Sequence, residues 1–126
     1  MANQKKKILL VDDSLTARRL VINFLSHLPL EILEASDGEQ GIKFIDENRD
    51  IQLIFTDINM PRMNGLQMVT ELKKRQPWAS GIPICMLTTE TGNEALNQAK
   101  TIGVNAFLVK PIQKDQLLAV VNGYLN

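Results

Sequence analysis

The sequence predicts an α/β domain in which five parallel strands alternate with five helices that cover both faces of the sheet. Three observations lead there. Short, almost wholly apolar runs, such as Ile8 to Val11 and Leu53 to Phe55, read as buried strands and alternate with segments whose apolar residues recur at helical spacing. The linkers are only a few residues long, which suits helical crossovers between parallel strands. Such crossovers are right-handed, so all the strand ends fall on one edge of the sheet, and in this chain those ends are polar.

Composition narrows the possibilities. With 126 residues the chain forms one domain spanning positions 1–126, long enough to bury about two-thirds of its unfolded surface. Hydrophobic residues at 44% and charged residues at 22% exclude a disordered or fibrous class. The 14 basic and 14 acidic side chains cancel, so no nucleic-acid partner is expected. Lys5-Lys6-Lys7 precedes an apolar run, but Asp12 and Asp13 end that run too soon for a signal peptide, and no membrane segment is expected. The single cysteine, Cys85, excludes an internal disulfide and fits a cytoplasmic location; lying in an apolar run, it reads as an inert buried thiol.

In chain order, Lys7 to Val11 is the first strand. Ser14 caps a helix whose inward face is Ala17, Leu20, Val21, Phe24 and Leu28, with Arg18 and Arg19 opposite, and Pro29 closes it. Leu30 to Ala35 is the second strand. The turn Ser36-Asp37-Gly38 opens a second helix that buries Ile42 and Ile45 and ends near Asn48. Ile51 to Thr56 is the third strand, delivering Asp57, after which Asn59, Pro61, Asn64 and Gly65 interrupt regular structure. Leu66, Val69 and Leu72 mark a third helix to about Arg75, with Trp78 in the connection beyond it as a partly exposed packing residue. Pro83 to Leu87 is the fourth strand, and Glu94 to Ile102 the fourth helix, stopped by Gly103. Ala106 to Val109 is the fifth strand and Lys114 to Tyr124 the last helix.

Strands one, three, four and five therefore end in Asp12-Asp13, Asp57, Thr88 and Lys110. Singly, each has an ordinary reading as a turn, a cap or a surface charge. Together, at the edge where open α/β sheets bind ligands, they read as a functional cluster. Crowded carboxylates repel one another and recruit a hard divalent cation, for which Mg²⁺ is the fit. A lysine ammonium and a threonine hydroxyl beside them are groups that stabilise a transferring phosphoryl group, and one carboxylate can serve as its acceptor. No glycine-rich nucleotide loop is present. His27, near the end of the first helix, reads as a surface residue and not as a hydrolase base.

The motifs Val-Asp-Asp-Ser at 11–14, Thr-Asp-Ile-Asn-Met-Pro at 56–61, Leu-Thr-Thr-Glu at 87–90 and Val-Lys-Pro at 109–111 resemble, in order and spacing, those of the response regulator receiver domain of two-component signalling. The resemblance runs from about Lys6 to Leu125. It implies a flavodoxin-like, doubly wound sheet of strand order 2-1-3-4-5 and a phosphorylation-dependent switch. By resemblance, Asp57 is the phosphoacceptor, charged by a sensor histidine kinase or a histidine phosphotransfer protein. Asp13, Asp57 and the Asn59 carbonyl are implied as Mg²⁺ ligands, with Asp12 supporting the ion through water. Lys110 pairs with the phosphoryl group, Thr88 is the switch hydroxyl and Phe107 the switch aromatic. The output face is made by the fourth helix, fifth strand and fifth helix, where a downstream protein docks.

Departures from the common pattern are Thr89, where a small residue is frequent and access is expected to narrow; Phe107, which replaces a tyrosine; and Asn64, where Asp is common. By the same resemblance, Asn59 and Glu90 occupy positions that in this family tune hydrolysis of the phosphoryl group. The chain stops with the fifth helix, so a stand-alone regulator that dephosphorylates itself is expected, with chemotaxis, relay or control of another protein as its output. A small Mg²⁺-dependent phosphatase is the competing enzyme class; Asn59, where such enzymes commonly keep an acid, argues against it. A vestigial interaction module is the third reading, against which stands the complete set Asp12, Asp13, Asp57, Thr88 and Lys110.

Overall fold

A computed structural model describes residues 5–89 and 93–125. The elements are β1 (Lys6–Val11), α1 (Leu15–Leu25), β2 (Leu30–Ala35), α2 (Gly38–Glu47), β3 (Ile51–Asp57), α3 (Gly65–Leu72), α4 (Pro77–Ser80), β4 (Ile84–Thr88), α5 (Asn93–Thr101), β5 (Ala106–Val109) and α6 (Lys114–Leu125). The strands are all parallel, in the order β2-β1-β3-β4-β5. The fold class and strand order are those expected.

Alternation along the strands divides the apolar side chains into two cores, one on each face. Leu9, Val11, Ile54, Ile84 and Met86 meet Ile45 of α2, Met68, Val69 and Leu72 of α3, and Ala99 of α5. Ile8, Leu10, Leu53, Phe55, Cys85 and Leu87 meet Val21 and Leu25 of α1 and Leu117, Val121 and Leu125 of α6. Buried on both faces, these strands have no room for polar alternation, which is why they read as continuous apolar runs. Cys85 is fully buried, and burial pushes its thiol up to about 12, so it is inert in the folded protein.

The helix starts follow from their caps. The Ser14 hydroxyl accepts from the Ala17 N–H at 3.1 Å, and the Asp37 carboxylate accepts from the Gln40 N–H at 2.9 Å. Asn64 and Gln67 exchange reciprocal bonds in a capping box at the head of α3. At the far end of α5, Gly103 adopts φ +97°, a left-handed stop that glycine takes without strain.

Three sequence expectations need correction. A sixth helix exists: α4 is a single turn with Pro77 in its first turn and Ala79 buried, too short to leave a periodic signal. Trp78 lies within it, half-buried beneath the Arg49 guanidinium at 4.8 Å. The third helix ends at Leu72 and passes into turns, not at Arg75. On α1, Leu20 is 39% exposed, whereas Arg18, assigned to the outer face, is largely covered. Val21 and Leu25 set the inward face, and Leu20 sits about 100° round the helix from Val21.

Gly65 lies where α3 begins beneath the end of β3. An added Cβ would lie 2.0 Å from the Asp57 carbonyl oxygen, and the Gly65 N–H bonds the Ile58 carbonyl at 2.8 Å. Gly123, in α6, has nothing within 4 Å of such a Cβ. In urea unfolding, Gly65→Ala is expected to lose about 1–3 kcal/mol through overpacking, and Gly123→Ala to gain about 0.5–1 kcal/mol of helix stability. Equal behaviour of the two variants would contradict the close approach.

Candidate functional site

Strand register brings the predicted side chains together. Val11 pairs with Thr56, so Asp12 follows β1 at the level of Asp57, the last residue of β3; Asp57 pairs with Leu87, just before Thr88, and Thr88 pairs with Val109, just before Lys110. Apolar pairing beneath thus sets the height of every group above it. One carboxylate oxygen from each of Asp12, Asp13 and Asp57 lies within 4.8 Å of the others.

Lys110 reaches back across the end of β4 into this cluster. Its ammonium donates to Asp12 Oδ2 at 2.8 Å and to Asp57 Oδ2 at 3.1 Å. The other oxygens are also engaged: Asp12 Oδ1 accepts from the Ser14 N–H at 2.9 Å, and Asp57 Oδ1 from the Ile58 N–H at 2.7 Å. Asp12 is buried, Asp57 nearly so, and Asp13 exposed, which grades the cluster from a fixed interior to an open mouth.

Burial pushes the Asp57 carboxyl above the usual carboxylate range; Lys110 counters this and the Asp12 charge adds to it. Burial also opposes the charge on Lys110. The bond to Asp12 and the charge of Asp57 outweigh that cost and hold the ammonium more firmly protonated than a free lysine. Three carboxylates against one ammonium leave a net negative, all-oxygen donor set, which fits a hard divalent cation.

Thr88 is fully buried at the end of β4, and its carbonyl accepts from the Lys110 N–H at 2.8 Å. Phe107 is half-buried against the core that includes α5. Asn59 and Thr89 are exposed beside the cluster, and Glu90 lies outside the described residues. His27 is exposed and away from the strand ends. The Lys110–Pro111 peptide bond is cis.

Two arginines were not identified from the sequence. Arg18 donates to the Asp12 carbonyl and, through Nε, to Glu34 at 3.0 Å, tying the loop after β1 to β2. Arg62 donates through Nε to the buried Asp37 carboxylate at 2.7 Å. Burial opposes ionisation of Asp37, but the Gln40 N–H and the Arg62 guanidinium together hold its carboxyl below the usual range. Neither arginine sits at a strand end, and each is recognisable only once its partner on a distant segment is in place.

The family model for the response regulator receiver domain matches residues 8–122. The chemotaxis protein CheY1 of Helicobacter pylori is 43% identical over 106 residues, covering 83% of this chain and 85% of that one. The chemotaxis protein CheY-3 of Vibrio cholerae is 34% identical over 110 residues, covering 86% and 83%. The solved structure of the chemotaxis response regulator CheY4 of Vibrio cholerae superposes with a TM-score of 0.86 at 33% identity, covering 96% of this chain and 99% of that one.

If Lys110 holds Asp12 and Asp57 together, removing either end should not be additive. A double-mutant cycle of Lys110→Met and Asp57→Asn, unfolded in urea with EDTA, is expected to give a coupling of about 1–3 kcal/mol. Additive losses would mean that the contact contributes nothing.

Proposed function

The chain belongs to the response regulator receiver-domain family, and from that premise we propose that its acidic edge takes a phosphoryl group onto Asp57. The observation that carries this reading is the Asp57 carboxylate at the end of β3, clustered with Asp12 and Asp13 and touched by the Lys110 ammonium. The donor is a phosphohistidine of a sensor histidine kinase or a histidine phosphotransfer protein. An Asp57 oxygen attacks phosphorus, the phosphorus–nitrogen bond breaks, and its electron pair leaves on the imidazole, which takes up a proton. The acyl phosphate is later opened by water, returning the carboxylate and inorganic phosphate.

The residues fit Mg²⁺: following the family pattern, Asp13, Asp57 and the Asn59 carbonyl would hold it, with Asp12 supporting it through water. When bound, the ion offsets the negative charge of the carboxylates and of the phosphoryl oxygens. Lys110, already aimed at Asp57, pairs with a phosphoryl oxygen and so orients the group for attack.

Thr88 supplies the hydroxyl that meets the phosphoryl group, and Phe107 repacks behind it. Both belong to the strand pair β4–β5, so their movement reaches the face made by α5, β5 and α6, where a downstream protein docks. Reversing a 1:99 preference between two states takes about 5.5 kcal/mol of differential contact. A phosphoryl group that touches Thr88 and Lys110 in one state only is a suitable source. The Helicobacter pylori and Vibrio cholerae relatives at 43% and 34% identity are named as chemotaxis proteins, so chemotaxis is the output we assign, by a single receiver domain spanning 1–126. A cytoplasmic setting is part of the same proposal; among the described residues no helix is long and apolar enough to cross a membrane.

Intact mass after incubation with acetyl phosphate tests the reading. With Mg²⁺, the wild type is expected to gain one phosphoryl group that is absent in EDTA and in Asp57→Asn. A wild type that stays unmodified with both acetyl phosphate and a phosphorylated histidine partner would overturn it.

A further inference from the structure

Asp57 and Asn59 lie on either side of the point where β3 gives way to the loop 58–64, so the geometry of the acidic site depends on how that loop is held. Its first anchor is local: the Ile58 N–H to Asp57, and the Gly65 N–H to the Ile58 carbonyl. The second anchor comes from another element. The buried Asp37 carboxylate, which caps α2 through Oδ1, accepts from Arg62 Nε through Oδ2 at 2.7 Å, and a terminal guanidinium nitrogen forms an ion pair with the same oxygen. Beside it, the Gly38 N–H bonds the Met63 carbonyl at 3.0 Å, and a Cβ on Gly38 would lie 2.7 Å from that carbonyl oxygen.

The backbone shows the same clamp. Arg62 has φ +63°, the one non-glycine residue in the left-handed region among those described. For a long side chain this conformation is disfavoured and persists only where surrounding contacts impose it. The Arg62 side chain is 60% exposed, and an ordinary surface ion pair would contribute little; here the partner side chain is 3% exposed and cannot turn away to water.

We propose that the Asp37–Arg62 pair is a positioning device for the metal side of the site, clipping the loop 58–64 to the head of α2 and thereby fixing the Asn59 carbonyl relative to Asp13 and Asp57. Arg62 touches neither the acidic cluster nor Lys110 in the contacts described. It acts through the loop backbone. The inference rests on the Mg²⁺ site proposed above.

Charge and position predict opposite signs, which makes the inference testable. Removing a positive charge near an acidic site should tighten cation binding by electrostatics alone. Loosening the carbonyl that completes the site should weaken it. Arg62→Asn is the informative variant, because asparagine tolerates the left-handed backbone while abolishing the ion pair. Calorimetric titration with Mg²⁺ alone is expected to show binding about tenfold weaker than wild type, the low end of losses on removing an outer-shell partner of a metal ligand. Arg62→Lys, which keeps the charge and loses the fork, should fall between. Hydrogen exchange without metal should speed up at the Gly38 and Gly65 amides in Arg62→Asn while the β1 and β3 amides stay as protected as in wild type. Unchanged or tighter Mg²⁺ binding by Arg62→Asn, or unchanged exchange at both glycines, overturns the positioning role. A wild type that binds no Mg²⁺ would instead overturn the metal site itself, an outcome visible before any variant is compared.

Discussion

Lys110 bonds Asp12 and Asp57 with one ammonium, and those two carboxylates belong to neighbouring strands while the lysine follows a strand two places further along the sheet. Everything beneath serves that convergence. Carboxylates so close would repel, and burial raises the cost of charging Asp57; the ammonium offsets both without filling every oxygen position. The arrangement is stable enough to fold yet still net negative, which leaves it an attractive place for a cation and a poor one for a neutral ligand.

The two cores explain how a strained cluster can be held. Strands buried on both faces are registered by the apolar side chains of two cores, and a slip of one residue would exchange those side chains between two cores shaped for others. Among the described residues, the loops joining these strands to helices are secured individually. Ser14 and Arg18 fasten the loop after β1, Arg62 and Asn64 the loop after β3. On the side of β4 and β5, Phe107 is only half-buried, and Val109 is 48% exposed. A domain rigid around its acids and looser at that edge is suited to pass a local charge change to the α5–β5–α6 face.

Much of this was legible in the sequence because strand burial leaves a direct trace. Continuous apolar runs ending in Asp12, Asp57, Thr88 and Lys110 located both the sheet and the edge where the acidic cluster lies, and the Ser14 cap and the Ser36-Asp37-Gly38 turn marked the helix starts. What the sequence hid has physical reasons. A single turn such as α4 has no periodicity, and Leu20 fits a helical stripe as well as Val21 does until packing chooses between them. Arg18 and Arg62 look like solvated charges because their partners, Glu34 and Asp37, lie on other elements. The resemblance to the receiver family supplied roles that pattern alone did not, and those of Thr88, Phe107 and Asn59 rest on it most heavily.

The account stands on the identity of the accepting carboxylate, which can be read chemically. An acyl phosphate formed from acetyl phosphate and Mg²⁺ can be trapped by borohydride, which reduces the modified aspartate to homoserine, and the position is then found by tandem mass spectrometry. Homoserine at position 57, with Asp12 and Asp13 unchanged, is the predicted result. Homoserine at position 12 or 13 in the wild type, with Asp57 intact, would contradict it.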